Sequence, residues 1–227
     1  MLTIEDLSFK FHRQSVFAHA QMQLLTPGVF GLVAPNGSGK STLLNLIAGL
    51  LRPQSGTITI DGQPNTTRQV FKQVAYLQDN RVLYPYLTGR AHLDFVAATH
   101  HLDQAHVAAV AEQLKASAFL DRRVRKYSLG MKQRLLMVMA LVTDAPLILL
   151  DEPLNGLDPT CLRLVHEAIL AQASQGKTVL VSSHNLPELS RVTQDIWFLH
   201  DQQLQHEVVS SEQAAATRYA ELYEAVE

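Results

Sequence analysis

Residues 31–42 read Gly-Leu-Val-Ala-Pro-Asn-Gly-Ser-Gly-Lys-Ser-Thr. Just upstream, Val29, Phe30, Leu32 and Val33 make an apolar strand, and downstream Lys40 opens an amphipathic stretch from Leu43 to Leu51. Strand, small-residue turn and helix start, in that order, form a phosphate-binding loop. Glycines let backbone N–H groups turn inward and approach an anion closely. The helix N-terminus adds unpaired donors and the positive end of its dipole. In such a loop Lys40 reaches the β- and γ-phosphates of a nucleotide, and the Ser41 hydroxyl ligates Mg²⁺. The strict pattern has glycine where this chain has Ala34. Alanine is the smallest replacement, so the loop is expected to form.

The flanking sequence supplies the rest of a sheet. Residues 2–9 and 15–25 are rich in alternating and β-branched positions and read as antiparallel strands, with Phe11, His12 and Arg13 between them. After the loop and its helix, residues 52–56 make a turn, Thr57–Ile60 a strand, and Asp61-Gly62 a second turn. Val74–Leu77 is a short apolar strand ending at Gln78. From about residue 88 to 126 the composition favours helix, with no β-rich segment, and the stretch closes on the basic residues Arg122, Arg123, Arg125 and Lys126. That cluster reads as a solvated face. Ser128 is a plausible N-cap for the next helix. Leu147–Leu150 and Thr178–Ser182 are continuous apolar runs of the kind buried on both faces of a sheet. Residues 160–175 between them are helical. Strands follow at about 195–199 and 203–209, then a polar helix at about 211–226. Buried strands alternating with helices argue for an α/β fold with a mostly parallel sheet. Ligands of such sheets bind beyond the strand C-terminal ends. The phosphate loop, Gln78, Asp151-Glu152 and His184 each follow a predicted strand.

The bulk numbers narrow the function. A chain of 227 residues accommodates one large α/β domain. Its net charge of −2 gives no global attraction to nucleic acid or acidic lipid. The single Cys161 excludes an intrachain disulfide and fits a reducing compartment. The first residues read as a strand start rather than a secretory signal. The longest apolar run, Leu135 to Val142, falls far short of the ~20 residues that span a bilayer. His100, His101 and His106 invite a metal-site reading, but no carboxylate or cysteine completes one, so they are taken as surface or packing residues.

An acidic residue ending a buried strand in a phosphate-loop protein is the expected partner of Mg²⁺, and Asp151 fits. Glu152 follows it and is placed to accept a proton from an attacking water. No guanine-reading Asn-Lys-x-Asp motif occurs, which favours ATP over GTP.

With these motifs in order, the chain resembles the ATP-binding cassette ATPases, the nucleotide-binding subunits of ABC transporters, over roughly residues 2–209. Leu149–Pro153 resembles the family's Walker B strand with its adjoining glutamate, Asn155-Gly-Leu-Asp158 its D-loop, and Ser183-His184 its switch histidine. Gln78 stands at the Q-loop glutamine and Phe11 at the aromatic A-loop position. Against the signature Leu-Ser-Gly-Gly-Gln, the chain has Tyr127-Ser-Leu-Gly-Met131, keeping Ser128 and Gly130. This Ser-Leu-Gly-Met form resembles cassettes of drug and bacteriocin-immunity exporters.

The resemblance implies a phosphate-loop core with an N-terminal antiparallel β-subdomain. It makes residues 1–227 a single cassette, with a helical subdomain inserted at about 84–144. It implies that Phe11 stacks on adenine and that Asn36, Gly37, Ser38, Gly39, Lys40, Ser41 and Thr42 hold the phosphates. Ser41, Gln78 and Asp151 would hold Mg²⁺, and Lys40, Gln78, Glu152 and His184 would serve catalysis. Ser128, Gly130 and Asp158 would contact the nucleotide across a head-to-tail homodimer or heterodimer. The implied partner is a separate transmembrane permease and not nucleic acid. The implied location is cytoplasmic, at the inner face of the membrane. The competing classes are a non-transport cassette ATPase acting on DNA or ribosomes and a phosphate-loop kinase. The first usually carries coiled-coil insertions or a tandem cassette, and the second needs an acceptor site that the sequence does not reveal.

Overall fold

The computed structural model describes residues 1–224 and consists of two sheets and the helices that cover them. Strands β1 (Leu2–Phe11) and β2 (Gln14–Leu24) form an antiparallel hairpin. The buried positions of β1 run Leu2, Ile4, then Leu7, Phe9, and those of β2 run Phe17, then Ala20, Met22, Leu24. Each alternation slips by one residue, so each strand carries an extra one. Asp6 (φ 52°) and His19 (φ 56°) absorb the slips in left-handed backbone, and His19 Nδ1 meets Asp6 Oδ1 at 2.5 Å. Strand β3 (Gly28–Val33) leads into the phosphate loop and helix α1 (Lys40–Ile47).

Helix α1 ends earlier than the expected Leu51. Gly49 takes φ 67°, its N–H bonds the Leu46 carbonyl, and the Leu50 N–H bonds the Asn45 carbonyl. That pair of bonds is a Schellman cap, which turns the chain out of the helix. Strand β4 (Ser55–Ile60) joins β1 antiparallel, and the short β5 (Gln63–Pro64) follows it. Helix α2 (Thr67–Gln73), capped by the Thr66 hydroxyl, was not expected from the sequence, and none of its residues is buried.

Strand β6 (Val74–Leu77) precedes helices α3 (Gly89–His100), α4 (Gln104–Gln113) and α5 (Leu129–Leu141). Then come β7 (Leu147–Asp151), α6 (Pro159–Ser174), β8 (Thr178–Ser183) and the single turn α7 (Leu186–Leu189). The edge hairpin β9 (Asp195–His200) and β10 (Gln203–Val208) leads to α8 (Glu212–Tyr223). The last expected helical residues, 225 and 226, lie outside the described residues. Arg122, Arg123, Arg125 and Lys126 are exposed, as a solvated face requires. His100 stacks on Phe71 at 4.3 Å between ring centres, and His106 Nε2 bonds the Val142 carbonyl.

The second sheet runs β10-β9-β3-β8-β7-β6, parallel except for the β9–β10 pair. Residue parity in its central strands divides the interior. Leu147 and Leu149 of β7 and Leu180 of β8 face the antiparallel sheet and α1, in a core with Leu32, Leu43 and Ile58. Ile148 and Leu150, with Val179 and Val181, face the helices, in a core with Leu135, Val138 and Val165. Both faces of β7 are therefore dry, which is why it reads as an unbroken apolar run.

Leu149 is fully buried at the centre of this sheet. Leu149→Ala should lower the unfolding free energy by about 3 kcal/mol, as a loss of buried methyl groups leaving a cavity. A shift of the urea midpoint at unchanged m-value checks it.

Candidate functional site

The parallel strands end on one edge, where their carboxyl ends deliver the loops. Val33, Leu77, Asp151 and Ser183 are the last residues of β3, β6, β7 and β8. The phosphate loop needs glycine at two of its bends: Gly37 has φ 82° and Gly39 φ 115°. A Cβ on Gly39 would also fall 2.6 Å from Val16 Cγ1 of β2. Ala34, where the strict pattern has glycine, is fully buried, so its methyl group is accommodated. Helix α1 starts without a side-chain cap and with no acid in its first turn. Its first N–H groups are thus left to an anion.

Lys40 is 5% exposed. Its ammonium donates to the Ala34 carbonyl at 2.8 Å and the Pro35 carbonyl at 3.3 Å, and pairs with Glu152 Oε1 at 3.1 Å. An ammonium has three donors, and all three are matched. Glu152 sits in left-handed backbone at φ 49°. A non-glycine residue holds that conformation only when its surroundings impose it. Here the Glu152 N–H donates to Ser182 Oγ at 3.0 Å, and the same hydroxyl donates to Asp151 Oδ1 at 2.7 Å. The Glu152 carboxylate also meets His184 Nδ1 at 3.1 Å and accepts from the Asn155 amide at 3.0 Å.

Phe11, Asn36, Gly37, Gly39, Lys40, Ser41, Thr42 and Glu152 line one cavity of about 240 Å³. Phe11 is 46% exposed at its mouth and lies edge-on to Phe9, 4.8 Å between ring centres. An aromatic left half in solvent beside a phosphate loop offers a face to a flat ligand. Ser38 lines the next cavity, behind the loop tip.

Gln78, Ser128, Gly130 and Asp158 do not line this cavity. Gln78 follows β6, beside the end of β7, and lines a separate cavity of about 320 Å³ with Tyr76, Val82, Val96 and His100. The phenol of Tyr76 is pushed well up by burial and then by the charges of Asp151 and Asp79. Ser128 caps α5 by accepting the Met131 N–H at 3.2 Å. Asp158 caps α6, its Oδ1 accepting the Thr160 and Cys161 N–H groups at 3.0 Å. Gly130 packs beside that cap, since a Cβ there would lie 3.4 Å from Cys161 Sγ and 3.6 Å from Asp158 Oδ2. Ser128, Gly130 and Asp158 thus form one surface within the chain, away from Lys40's cavity.

Sequence reasoning missed Gln14 and Val16, which line the first cavity from β2. It also missed Ser182, which joins Asp151 to Glu152. A hydroxyl ending an otherwise apolar strand was the available signal for Ser182.

Comparison with known proteins gives a consistent result. The ABC transporter family model matches residues 17–155. An uncharacterized ABC transporter ATP-binding protein of Nostoc is 37% identical over 77% of this chain and 54% of its own length. The chain thus spans little more than half of that relative. The lantibiotic transport ATP-binding protein SrtF of Streptococcus pyogenes is 29% identical over 88% of this chain and 87% of its own. A solved ATP-binding subunit of an ABC transporter superposes with a TM-score of 0.86 at 27% identity, covering 99% of this chain and 98% of that one. A family match over more than half of the residues, on a fold that delivers its parallel strand ends to the phosphate loop's edge, makes the chain a member of the ABC transporter family.

Proposed function

We propose that this chain is the ATP-hydrolysing subunit of an ABC transporter, working as one cassette with its helical subdomain at about 84–144. The observation that carries the proposal is the meeting of Lys40, Glu152 and His184 within 3.1 Å contacts at the end of the parallel sheet. A buried cation, a carboxylate and an imidazole at the mouth of a phosphate loop suit phosphoryl transfer to water. In this reading Lys40 exchanges its Glu152 contact for the β- and γ-phosphates. Glu152 then accepts the proton of the attacking water, and His184 orients that carboxylate and the γ-phosphoryl group. Asn36–Thr42 hold the phosphates through backbone N–H groups, and Phe11 stacks on adenine.

Ser41, Gln78 and Asp151 offer hydroxyl, amide and carboxylate oxygens, the donor chemistry that a hard cation takes. Bound there, Mg²⁺ would neutralise phosphate charge. Ser128, Gly130 and Asp158 share a surface outside the Lys40 cavity, which suits contact with nucleotide held by a second subunit. Two copies would close head-to-tail on two ATP and drive a separate membrane permease. Among the described residues no helix is long and apolar enough to cross a membrane. The Ser-Leu-Gly-Met sequence and the likeness to a lantibiotic transport subunit support an exporter of drugs or antimicrobial peptides. Its place would be the inner face of the cell membrane, held there by the permease.

Lys40→Ala should abolish ATP hydrolysis and weaken ATP binding strongly. A folded variant with wild-type activity would remove the central claim.

Phe11→Ala should raise the ATP dissociation constant severalfold, since base–aromatic stacking is worth on the order of 1 kcal/mol. Phe11→Tyr should leave it nearly unchanged. Calorimetric titration of both variants decides whether the ring meets the base.

Loss of a general base costs on the order of 10²–10⁴ in rate. Glu152→Gln should therefore trap a closed dimer that elutes at twice the monomer mass in ATP and Mg²⁺ but not in ADP. Adding Ser128→Arg should abolish the dimer and leave ATP binding to the monomer intact. A Glu152→Gln chain that binds ATP yet stays monomeric counts against ATP at the subunit interface.

A further inference from the structure

The turn after β7 carries a side chain with no role so far. Asn155 Nδ2 donates to Glu152 Oε2 at 3.0 Å, and its backbone N–H reaches the Glu152 carbonyl at 3.4 Å. Lys40 Nζ and His184 Nδ1 both engage the other oxygen, Oε1, and the His184 backbone N–H reaches Oε2 at 3.3 Å. The terminal torsion of a glutamate is broad, so contacts to one oxygen leave the carboxylate plane poorly defined. The Asn155 amide is the shorter of the two donors on the second oxygen and the one supplied by a side chain. An ionised carboxylate only accepts, so the amide presents its nitrogen, and it adds no charge.

The turn that carries Asn155 is itself braced. Gly156 has φ 66°, and a Cβ there would fall 2.8 Å from Leu129 Cδ2. Leu129 lies at the start of α5 and reaches across to this glycine's backbone. It occupies the signature position where the resembled family has glycine, so its contact is a feature of this chain's own sequence.

We propose that Asn155 is a positioning residue that sets the plane of the Glu152 carboxylate, its turn braced by Leu129 against Gly156. The proposal rests on the reading of Glu152 as the proton acceptor in ATP hydrolysis. Lys40 supplies charge, His184 touches both oxygens from the strand end, and the Asn155 amide fixes Oε2 at the shorter distance.

The test compares steady-state and single-turnover hydrolysis by the full chain, with ATP affinity measured separately at equilibrium. Asn155→Ala should keep the ATP dissociation constant within about twofold and lower kcat about tenfold, the cost of a misdirected reacting group. Asn155→Asp keeps the shape but replaces the donor with an acceptor, so it too should lower kcat at least tenfold while the ATP dissociation constant stays within about twofold. Wild-type kcat in a folded Asn155→Ala chain overturns the proposal. So does an Asn155→Asp chain that hydrolyses ATP at the wild-type rate. If the alanine variant fails to fold, the aspartate variant's rate and affinity decide alone. A wild-type chain that neither binds nor hydrolyses ATP instead removes the underlying function, and this proposal with it.

Discussion

Everything at the site depends on a sheet whose central strands are buried on both faces. Leu147–Leu150 sends alternate side chains into two separate cores, and no water reaches either side. A strand in that position has no solvent-facing register to slip into. The end of β7 is thereby fixed, and with it Asp151 and Glu152. The same constraint fixes β3 and β8 beside it, so the phosphate loop and His184 emerge in register with the two acids.

Charge is arranged economically around Glu152. A buried ammonium without partners would be strongly unfavourable. Lys40 has two backbone carbonyls and one carboxylate, a complete set. Two of those partners are neutral and belong to the loop itself. Only the third can be replaced by a more highly charged anion without disturbing the chain path. The lysine's pairing therefore favours exchange at Glu152, the partner whose release frees a base.

Much of this was legible in the sequence because it is local. Gly31–Thr42 carries strand, turn and helix start in twelve consecutive residues, and Leu147–Glu152 carries burial and chemistry together. The bulges at Asp6 and His19 were also written there, in apolar positions spaced by three instead of two. Helix α2 left no such mark, because none of its residues is buried and no apolar stripe forms. The partners of Glu152 were harder still. Asn155 lay inside a recognised motif without a role, because its hydrogen bond depends on the left-handed backbone at Glu152 and Gly156. Leu129 looked like a departure from a signature, and only the fold reveals that it rests on Gly156. Asp158 was expected at a nucleotide, and within the chain its Oδ1 is taken up by capping α6.

The hydroxyl of Tyr223 lies 2.8 Å from the Leu199 carbonyl and 3.2 Å from that of Val33, where the β3–β9 pairing runs out, and its one proton is shared between them. Strand β3 thus has as its sheet neighbours β8 and β9, and its last carbonyl is capped from α8. Every one of these partners lies about 150 residues or more further along the chain. A ribosome that has released the phosphate loop has therefore made none of the strands that hydrogen-bond to β3. The phosphate loop is thus synthesised well before the strands that flank it. Until β8 and β9 emerge, the half-made chain has no finished phosphate site with which to compete for nucleotide.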